Sequence, residues 1–481
     1  MARVAFLQLN FYELHGSESL AAVLKSRGHQ VRLVIPGLER RPLRVLAEFQ
    51  PDLVGIGFTT VERKEALLWA RAVKERTGAR VVLGGIDPTF CPELALDPSV
   101  DAVCRGEAEL TLLELAERAA AGRDFHDLAG IAYAEGGELK LNPARPLIAD
   151  LDTLPFPDKD LYFDHYRLFR DYPIKFFVAS RGCPYSCTYC ANRDLRDLYP
   201  NPGEYVRFKS PGYLVAEIKN ALAKAPARTI CFNDDLFTNQ LAWLAEFLPR
   251  YQAEIGAPFF GCGRIDTMTE EKAELLARGG CYFLLYGLES ANPEHRELML
   301  GRRMSNDAIR RGTEILHRAG ILTQSFNILN LPGENFEDAA STLAFNQELR
   351  NDFVVASLFQ PFPGTELFRR LLAEGKLGDR PPADRESLSY FAFSPVRQPD
   401  TGKVENLQKF FILAQRYPRL TPLIKRLCAL PGNPFFDIIF LASFAVNYGR
   451  SHRLKAWEVG YYNLRHLLTT YLARSRSVPR D

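Results

Sequence analysis

The sequence predicts an α/β protein in three parts: a doubly wound parallel sheet, a partial (β/α)6 barrel and a small helical domain. Two series of short apolar runs alternate with helical patterns, one before residue 130 and one beginning near residue 174. Repeated β-α units of this kind are typical of parallel sheets covered by helices. From residue 386 onward the apolar runs give way to a helical, aromatic and arginine-rich pattern.

The bulk properties exclude several classes of protein. A chain of 481 residues is too long for one ordinary core and predicts roughly two to four domains. The net charge of +2 gives no sign of nucleic-acid binding. Nine cysteines in so long a chain indicate a reduced, cytoplasmic protein in which a few thiols bind metal. We find no signal-peptide pattern, and the apolar run at 435–446 is too short to span a bilayer.

The first part contains five apolar runs that read as buried parallel strands. They lie at 3–9, 30–35, 53–58, 80–85 and 101–106. Helical patterns separate them at 17–28, 63–78 and 110–122, and two of these end in Gly after Lys or Arg. The alternation predicts a doubly wound, Rossmann-like sheet over residues 1–140. Its ligand crevice should lie beyond the carboxyl ends of the strands.

The second part follows a polar, proline-rich stretch, which we interpret as a linker over residues 141–173 that also closes over the next domain. Six further strands are predicted, and each precedes a helical pattern. They lie at 174–180, 228–234, 259–264, 281–289, 321–329 and 353–360. This series predicts a partial, TIM-like (β/α)6 barrel over residues 174–385, with the chemistry at the strand ends.

The third part, residues 386–481, is predicted to be a small helical domain or lid. Helical patterns at 405–420 and 457–476 flank the apolar run near residue 440. The region is rich in cations, among them Arg450, Arg453, Lys455, Arg465, Arg474 and Arg476. Two interpretations stay open: a lid with a solvated basic face, or peripheral contact with a membrane or lipid substrate.

The stretch 180–193, SRGCPYSCTYCANR, carries the strongest chemical signal. Cys183, Cys187 and Cys190 are spaced C-x3-C-x2-C. Thiolates select zinc, copper(I) or iron–sulfur clusters, and structural zinc requires four ligands. The spacing recruits no fourth Cys or His nearby, so we favour a four-iron cluster whose fourth iron is open to a substrate. Three structural cysteines, or a zinc knuckle completed from elsewhere, are the alternatives.

This triad, with Tyr189 before its last cysteine and directly after a barrel strand, resembles the radical S-adenosylmethionine superfamily. The resemblance implies that the open iron chelates the amino and carboxylate groups of S-adenosylmethionine, which one electron then cleaves to a 5′-deoxyadenosyl radical. The segments 231–238, 286–290, 327–334 and 360–367 resemble the family's later strand ends. One departure is Asn330, which stands where many relatives have Gly.

The resemblance also implies a set of cofactor-binding residues. Asp234 or Asp235 would reach the methionine moiety, and only one of them can, because adjacent residues of an extended segment point to opposite sides. Glu289 and Ser290 would approach the ribose, and Arg302 and Arg303 would meet the carboxylate. The alternatives are a helix cap or turn for the Asp pair, an ion pair within the barrel for Glu289, and an exposed helix-start pair for Arg302 and Arg303.

The first part resembles the cobalamin-binding domain that precedes many such barrels. The similar segments are 16–31, 51–60, 84–89 and 105–109, and the residues implied as cobalamin contacts are Thr59, Gly84, Gly85, Asp87, Thr89, Gly106 and Glu107. Glycines allow a flat ring or nucleotide tail to approach the backbone, although they also suit a turn without a ligand. The string 13-ELHGSE-18 departs from the D-x-H-x-x-G of methionine-synthase-type domains, so we do not expect His15 to ligate cobalt.

Together the resemblances imply a cobalamin-dependent radical enzyme, with methyl transfer to an unactivated carbon as the expected reaction. The cofactors would be a [4Fe–4S] cluster, S-adenosylmethionine and cobalamin, which carry the chemistry while the protein orients them. A reductase, flavodoxin or ferredoxin would supply electrons, and the substrate would be a small molecule or lipid. A non-methylating reaction (cyclisation, ring contraction or a hydratase-type step) and a front sheet that serves only as a scaffold stay open as alternatives.

Overall fold

The structure, a computed structural model, describes residues 1–199, 203–377 and 390–464. Over these residues it confirms the predicted fold class, since two large sheets carry helices between their parallel strands. The predicted helix at 457–476 is described only to Leu464, and Arg465, Arg474 and Arg476 lie outside the described residues. The predicted boundary at residue 385 also lies outside them.

The amino-terminal sheet has seven strands in the order β2-β1-β3-β4-β5-β6-β7. Its strands are β1 (Arg3–Leu7), β2 (Gln30–Val34), β3 (Leu53–Gly57), β4 (Arg80–Gly84), β5 (Ala102–Cys104), β6 (Ile131–Glu135) and β7 (Glu138–Leu141). The five predicted strands are confirmed and run parallel, whereas β6 and β7 add an unpredicted antiparallel hairpin. Its signal was Gly136–Gly137, both at positive φ, as a two-residue hairpin turn requires.

Helices cover both faces of this sheet. They are α1 (His15–Ser26), α2 (Pro42–Phe49), α3 (Arg63–Thr77), α4 (Ile86–Phe90) and α5 (Glu109–Ala120). One hydrophobic core forms under α1 and α5, and a second forms on the opposite face under α2 and α3. The two cores hold the strands rigidly, so the loops at their carboxyl ends have fixed positions.

The segment predicted as a linker is packed against the amino-terminal sheet. It contains α6 (Asp160–Phe163) and α7 (Arg167–Arg170), whose aromatic side chains are buried in the core under α1. The Tyr162 hydroxyl donates to Gln8 Oε1 at 2.5 Å, and the Lys159 ammonium donates to the Phe176 carbonyl at 2.8 Å. The segment therefore fixes the first sheet against the barrel.

The barrel sheet has six parallel strands in the order β8-β11-β12-β13-β14-β15, as the sequence predicted. The strands are β8 (Ile174–Phe177), β9 (Ser180–Arg181), β10 (Arg207–Phe208), β11 (Thr229–Phe232), β12 (Phe259–Gly263), β13 (Cys281–Glu289), β14 (Leu322–Leu329) and β15 (Phe353–Leu358), with β9 and β10 forming a separate antiparallel pair. The helices are α8 (Ala191–Asp197), α9 (Pro211–Lys224), α10 (Leu241–Glu254), α11 (Glu270–Arg278), α12 (Asn306–Arg318), α13 (Phe336–Glu348) and α14 (Glu366–Ala373).

The described carboxyl-terminal helices share a core with the barrel. They are α15 (Thr401–Arg416), α16 (Thr421–Cys428), α17 (Pro434–Ser451) and α18 (Ala456–Glu458). Phe410 and Phe411 of α15 pack with Val354 and Leu358 of β15. The alternation of the sequence could not reveal this shared core, because it depends on contacts between distant segments.

The end of α17 closes the amino-terminal end of the barrel. The Tyr448 hydroxyl lies 3.0 Å from the Tyr172 hydroxyl, just before β8 begins. The His452 ring packs edge-on against Phe260 and Phe283 inside the barrel. These helices therefore plug the barrel at the end opposite its strand carboxyl ends. Among the described residues, no helix is long and apolar enough to cross a membrane.

Candidate active site

A cleft of about 640 Å³ lies between the amino-terminal sheet and the barrel. One wall consists of the loops after β3, β4 and β5, and the other consists of β9, the loop that follows it and the end of β11. The first wall and the end of β11 lie at carboxyl ends of parallel strands, where ligands bind in such sheets, whereas β9 belongs to an antiparallel pair. The linker contributes Leu151 and Pro155 to the rim.

The three-cysteine loop begins at the end of β9 and is tied down on both sides. Gly182 precedes it at φ 87°, where an added Cβ would lie 2.6 Å from the Tyr205 carbonyl oxygen. Between the second and third cysteines, the Thr188 amide donates to the Leu300 carbonyl at 3.1 Å. The Thr188 carbonyl accepts from the Leu367 amide at 2.9 Å. The loop therefore holds its thiols from a rigid backbone.

The chemistry of the three thiols fits an iron–sulfur cluster. Burial raises the pKa of Cys183 and raises that of Cys190 to about 11, so both carry protons until iron displaces them. In the described parts of the chain, no three Cys, His, Asp or Glu side chains converge closely enough to hold a single metal ion. Cysteine thiolates are the usual ligands of a [4Fe–4S] cluster.

Tyr189, Glu289 and Arg302 form a buried group beside Cys187. The Tyr189 hydroxyl donates to Glu289 Oε1 at 2.9 Å and accepts from Arg302 Nη1 at 3.1 Å. Arg302 Nη1 lies 4.0 Å from Cys187 Sγ, and Nη2 donates to the Gly287 carbonyl at 2.7 Å. Burial raises the pKa of Glu289 above its usual value, and the Arg302 guanidinium and the Tyr189 phenol offset only part of that rise. Glu289 has φ 67°, a strained value that is common at functional sites.

Two residues predicted to contact S-adenosylmethionine point elsewhere. The Arg303 side chain is 87% exposed and lies 3.4 Å from Glu297, on the outer surface. Ser290 is fully buried, and its hydroxyl accepts from the Asn292 amide at 3.3 Å. Neither side chain lines the cleft. Ser290 shapes the turn after β13, and of the two arginines that the resemblance named, Arg302 lies beside Cys187.

The adjacent carboxylates after β11 have different partners, as their alternation requires. Asp234 is buried and accepts hydrogen bonds from the Ala179 and Ser180 amides at 3.0 and 2.6 Å. Its carboxylate thus holds the backbone that enters the cysteine loop, although Asp234 also lines the cleft. Its assignment as a cofactor contact stays a prediction. Asp235 lines the cleft. Burial raises its pKa above the usual value, and the hydrogen bond with Asn192 offsets only part of that rise.

Glycines at the carboxyl ends of β3 and β4 form part of the cleft wall, which we call the glycine floor. Gly57, Gly84 and Gly85 all line the cleft. Gly85 has φ 95°, and an added Cβ would lie 2.8 Å from the Phe58 carbonyl oxygen, so its conformation requires glycine. An added Cβ at Gly84 would meet no atom within 4 Å, so this glycine leaves space open above the floor. A flat ring or nucleotide tail fits against such a surface.

The other predicted cobalamin contacts have mainly structural partners. Thr59 lines the cleft and caps the following turn, since its amide donates to Glu62 Oε2 at 3.0 Å. Asp87 is buried in an ion pair with Arg63 at 2.7 Å, so the structure gives it no surface in the cleft. Thr89 lines the cleft and donates to the Gly85 carbonyl at 2.8 Å.

Gly106 and Glu107 join the two walls. An added Cβ at Gly106 would lie 2.2 Å from the Tyr199 hydroxyl. Only glycine therefore leaves room for the Tyr199 side chain, which comes from the barrel. Glu107 pairs with Arg207 at 2.7 Å and with Arg181 at 3.2 Å. Burial raises the pKa of Glu107, but the two guanidinium groups outweigh burial and leave it below its usual value. Glu107 thus clasps the sheet to the barrel while it also lines the cleft, and its assignment as a cofactor contact stays a prediction.

The Glu107 clasp predicts a pH-dependent stability. We expect Glu107→Gln to cost about 2–4 kcal/mol, because a buried ion pair loses one partner. A carboxyl with a lowered folded-state pKa stabilises above its unfolded pKa of about 4.3, and this contribution is lost as pH falls through the folded-state value. The difference in melting temperature should therefore be full at pH 7 and shrink below about pH 4.

The matched control is Glu138→Gln, since Glu138 is 76% exposed beside Lys140. It should leave the melting temperature unchanged, because surface pairs contribute little. A melting-temperature difference for Glu107→Gln that is constant across this pH range would contradict the clasp.

His15 lies at the cleft wall, at the first turn of α1. Its Nδ1 lies 3.2 Å from Glu18 Oε2, and its Nε2 is buried without a hydrogen-bond partner among the described residues. Glu18 is held in turn by Lys159 at 2.8 Å, with Glu13 on the same ammonium at 2.9 Å. This buried charge cluster, which the sequence did not predict, sets the entry of α1 into the cleft.

Sequence comparison finds related domains in the same places. The profile of the Radical SAM superfamily matches residues 177–345, and that of the B12 binding domain matches residues 12–116. An uncharacterized methyltransferase of Pyrococcus horikoshii is 31% identical over 343 residues, covering 69% of this chain and 72% of the relative. The chain belongs to the cobalamin-binding radical S-adenosylmethionine enzymes. This membership confirms the predicted cofactors: a [4Fe–4S] cluster, S-adenosylmethionine and cobalamin.

More distant relatives of this family share the architecture. An anaerobic magnesium-protoporphyrin IX monomethyl ester cyclase of Rubrivivax gelatinosus is 26% identical, covering 83% of this chain and 74% of the relative. The methyltransferase TsrM of Kitasatospora setae has a TM-score of 0.65 at 20% identity, covering 79% of this chain and 77% of that one. The cobalamin-dependent enzyme OxsB has a TM-score of 0.68 at 16% identity, covering 100% and 74%. The two structures support the fold.

Proposed function

We propose that this enzyme transfers a methyl group to a carbon atom of a small-molecule or lipid substrate. The observation that carries the proposal is the shared cleft, because the glycine floor and the residues that flank the cysteine loop, Gly182 and Asn192, line one space. In this proposal residues 1–140 bind cobalamin, and residues 174–385 bind the cluster and S-adenosylmethionine. When bound, these groups supply the methyl carrier and the electron that cleaves the sulfonium compound.

The protein's own side chains have separable tasks in this proposal. Cys183, Cys187 and Cys190 hold the cluster and leave one iron open. Asp235, which faces the cleft after β11, accepts hydrogen bonds from the ammonium group of S-adenosylmethionine. Arg302 sets the position of Tyr189 and places its positive charge beside Cys187. We keep a flavodoxin, ferredoxin or reductase as the electron donor, and a cytoplasmic location, as parts of the same proposal.

The proposal is tested with S-adenosylmethionine that carries a deuterated methyl group. Anaerobic enzyme reconstituted with cluster and cobalamin is incubated with small-metabolite or lipid extracts of cells lacking the gene. We expect label in a product and the release of S-adenosylhomocysteine. Formation of 5′-deoxyadenosine without label transfer or S-adenosylhomocysteine would contradict methyl transfer.

That contrary outcome would favour the second candidate, a non-methylating reaction such as ring closure. The observation behind it is the 26% identity to the anaerobic cyclase, over a larger share of this chain than the methyltransferase match covers. The two candidates share all their cofactors, so only product analysis separates them.

The glycine floor predicts opposite effects for two neighbouring substitutions. Gly84→Ala places a methyl group in open space above the floor. We expect the stability to be unchanged and the affinity for cobalamin to fall about tenfold or more. Gly85→Ala forces an L side chain to φ 95° against the Phe58 carbonyl, so we expect a loss of about 1–3 kcal/mol in stability. Spectrophotometric titration and thermal unfolding measure the two effects. Unaltered cobalamin affinity in Gly84→Ala would contradict the floor.

A further inference from the structure

The helices at the carboxyl end of the described chain expose an unusual number of apolar side chains. Nine of the seventeen exposed large apolar side chains among the described residues fall within 417–461, about a tenth of that chain. Six of them define what we call the C-terminal apolar face: Leu420, Leu423, Leu430, Phe435, Ile438 and Val446. Single exposed apolar residues are ordinary, whereas a concentration of them marks an interaction surface.

The face is a regular feature of α16 and α17. On α17, Phe435, Ile438 and Val446 recur at intervals of three and eight residues, which places them along one stripe. Phe436 and Phe440, which point to the core, lie on another side of the same helix. The three side chains of the stripe are 60–64% exposed, whereas Phe436 and Phe440 are buried.

On α16 the same division holds. Ile424 and Cys428 are buried in the core shared with α15 and β15. Leu423 is 53% exposed, and Leu420 precedes the helix at 38%. Leu430 lies in the connection between the two helices and is 50% exposed. The face therefore extends over both helices and the turn that joins them.

The charges around the face are mostly positive. Residues 416–455 contain Arg416, Arg419, Lys425, Arg426, Arg450, Arg453 and Lys455, against a single acidic residue, Asp437. Asp437 lies 3.4 Å from Lys409, which compensates its charge. Lys425 pairs with Glu337 at 2.9 Å, and the Arg453 guanidinium lies over the Tyr282 ring. Arg416, Arg419, Arg426 and Arg450 are exposed.

We propose that the C-terminal apolar face rests on the surface of an anionic lipid bilayer. The apolar side chains enter the boundary between headgroups and acyl chains, and the arginines meet lipid phosphates, as in other basic amphipathic helices. A second copy of this chain fits the face poorly, because two such surfaces would bring their positive charges together. The proposal is independent of the reaction, since it depends only on α16, α17 and their surroundings.

The experiment is flotation of the full-length enzyme with phosphatidylcholine vesicles, with and without phosphatidylglycerol. We expect binding to the anionic vesicles and little binding to phosphatidylcholine alone. The double variant Arg419→Gln/Arg426→Gln should bind anionic vesicles roughly 10- to 30-fold more weakly. Phe435→Gln/Ile438→Gln should weaken binding about tenfold or more. Both pairs are exposed, so thermal unfolding should match the unsubstituted enzyme.

The matched control is Leu141→Gln, an exposed leucine on β7 of the first sheet, which should leave vesicle binding unchanged. Absence of binding to anionic vesicles, or equal binding to both kinds, would overturn the proposal. Concentration-dependent self-association that Phe435→Gln/Ile438→Gln abolishes, without vesicle binding, would assign the face to a second copy of the chain instead.

Discussion

Replacing Cys183, Cys187 and Cys190 by alanine is expected to abolish the iron–sulfur cluster and all turnover of S-adenosylmethionine. The three thiols are the only iron ligands that the loop offers, and the backbone around Thr188 holds them in place. Without them iron has no soft ligands at this end of the barrel. The measurement is iron content, visible absorption and electron paramagnetic resonance after anaerobic reconstitution.

The control is Cys262→Ala, a cysteine on β12 that belongs to no predicted ligand set. It should keep full iron content and cluster signals. Cobalamin binding should survive in both proteins, because the glycine floor belongs to the other wall of the cleft. A triple variant that retains the cluster signals would show that other residues hold the iron.

Arg302→Gln is expected to give the largest effect of any substitution outside the triad. It leaves Glu289 buried without its guanidinium and removes one hydrogen bond from Tyr189, so the barrel should lose about 3–5 kcal/mol in stability. The positive charge beside Cys187 also disappears, which should shift the reduction potential of the cluster to lower values. Thermal unfolding and redox titration measure the two effects.

Arg303→Gln provides the matched control, since the neighbouring arginine points to solvent. It should change neither the melting temperature nor the potential. Equal effects of the two substitutions, or a normal cluster potential in Arg302→Gln, would contradict the role of Arg302 as a positioning residue. Arg302→Lys tests charge alone, because lysine keeps the charge and loses the planar fork.

The sequence predicted the two sheets because each strand is a short apolar run and each helix has its own periodicity. Patterns of this kind depend on near neighbours in the chain, so eleven parallel strands could be placed before the structure was known. The shared core of α15 depends on long-range contacts, about which the periodicity of the sequence carries little information. The β6–β7 hairpin is local, and its Gly136–Gly137 turn was a signal in the sequence that our prediction missed.

The site residues also divide into those that a local pattern predicts and those that depend on the folded structure. The spacing of Cys183, Cys187 and Cys190 is a local pattern, and it identified the chemistry directly. Choosing Arg302 over Arg303, or Asp235 over Asp234, requires knowing which side of a turn faces the cleft. Adjacent residues differ by only a rotation of the backbone, so their roles could not be separated from sequence.

The interface between the two walls was the least predictable feature. Glu107 resembled a cofactor contact, yet its partners Arg181 and Arg207 lie in the barrel, far away in the chain. Lys159 sat in a stretch that we interpreted as a linker, and it proves to bridge Glu13 and Glu18. A charged residue at such a junction is buried because it pairs with residues that are distant in the sequence. The sequence alone does not show which residues these are.

The central claim is that the cluster has one iron without a protein ligand, to which S-adenosylmethionine binds. The most direct measurement is electron–nuclear double resonance on the reduced enzyme with S-adenosylmethionine that carries ¹⁵N in its amino group and ¹⁷O in its carboxylate. We predict couplings of both nuclei to the cluster, together with one distinct iron site by Mössbauer spectroscopy. Four equivalent irons and no coupling to either label would contradict the account.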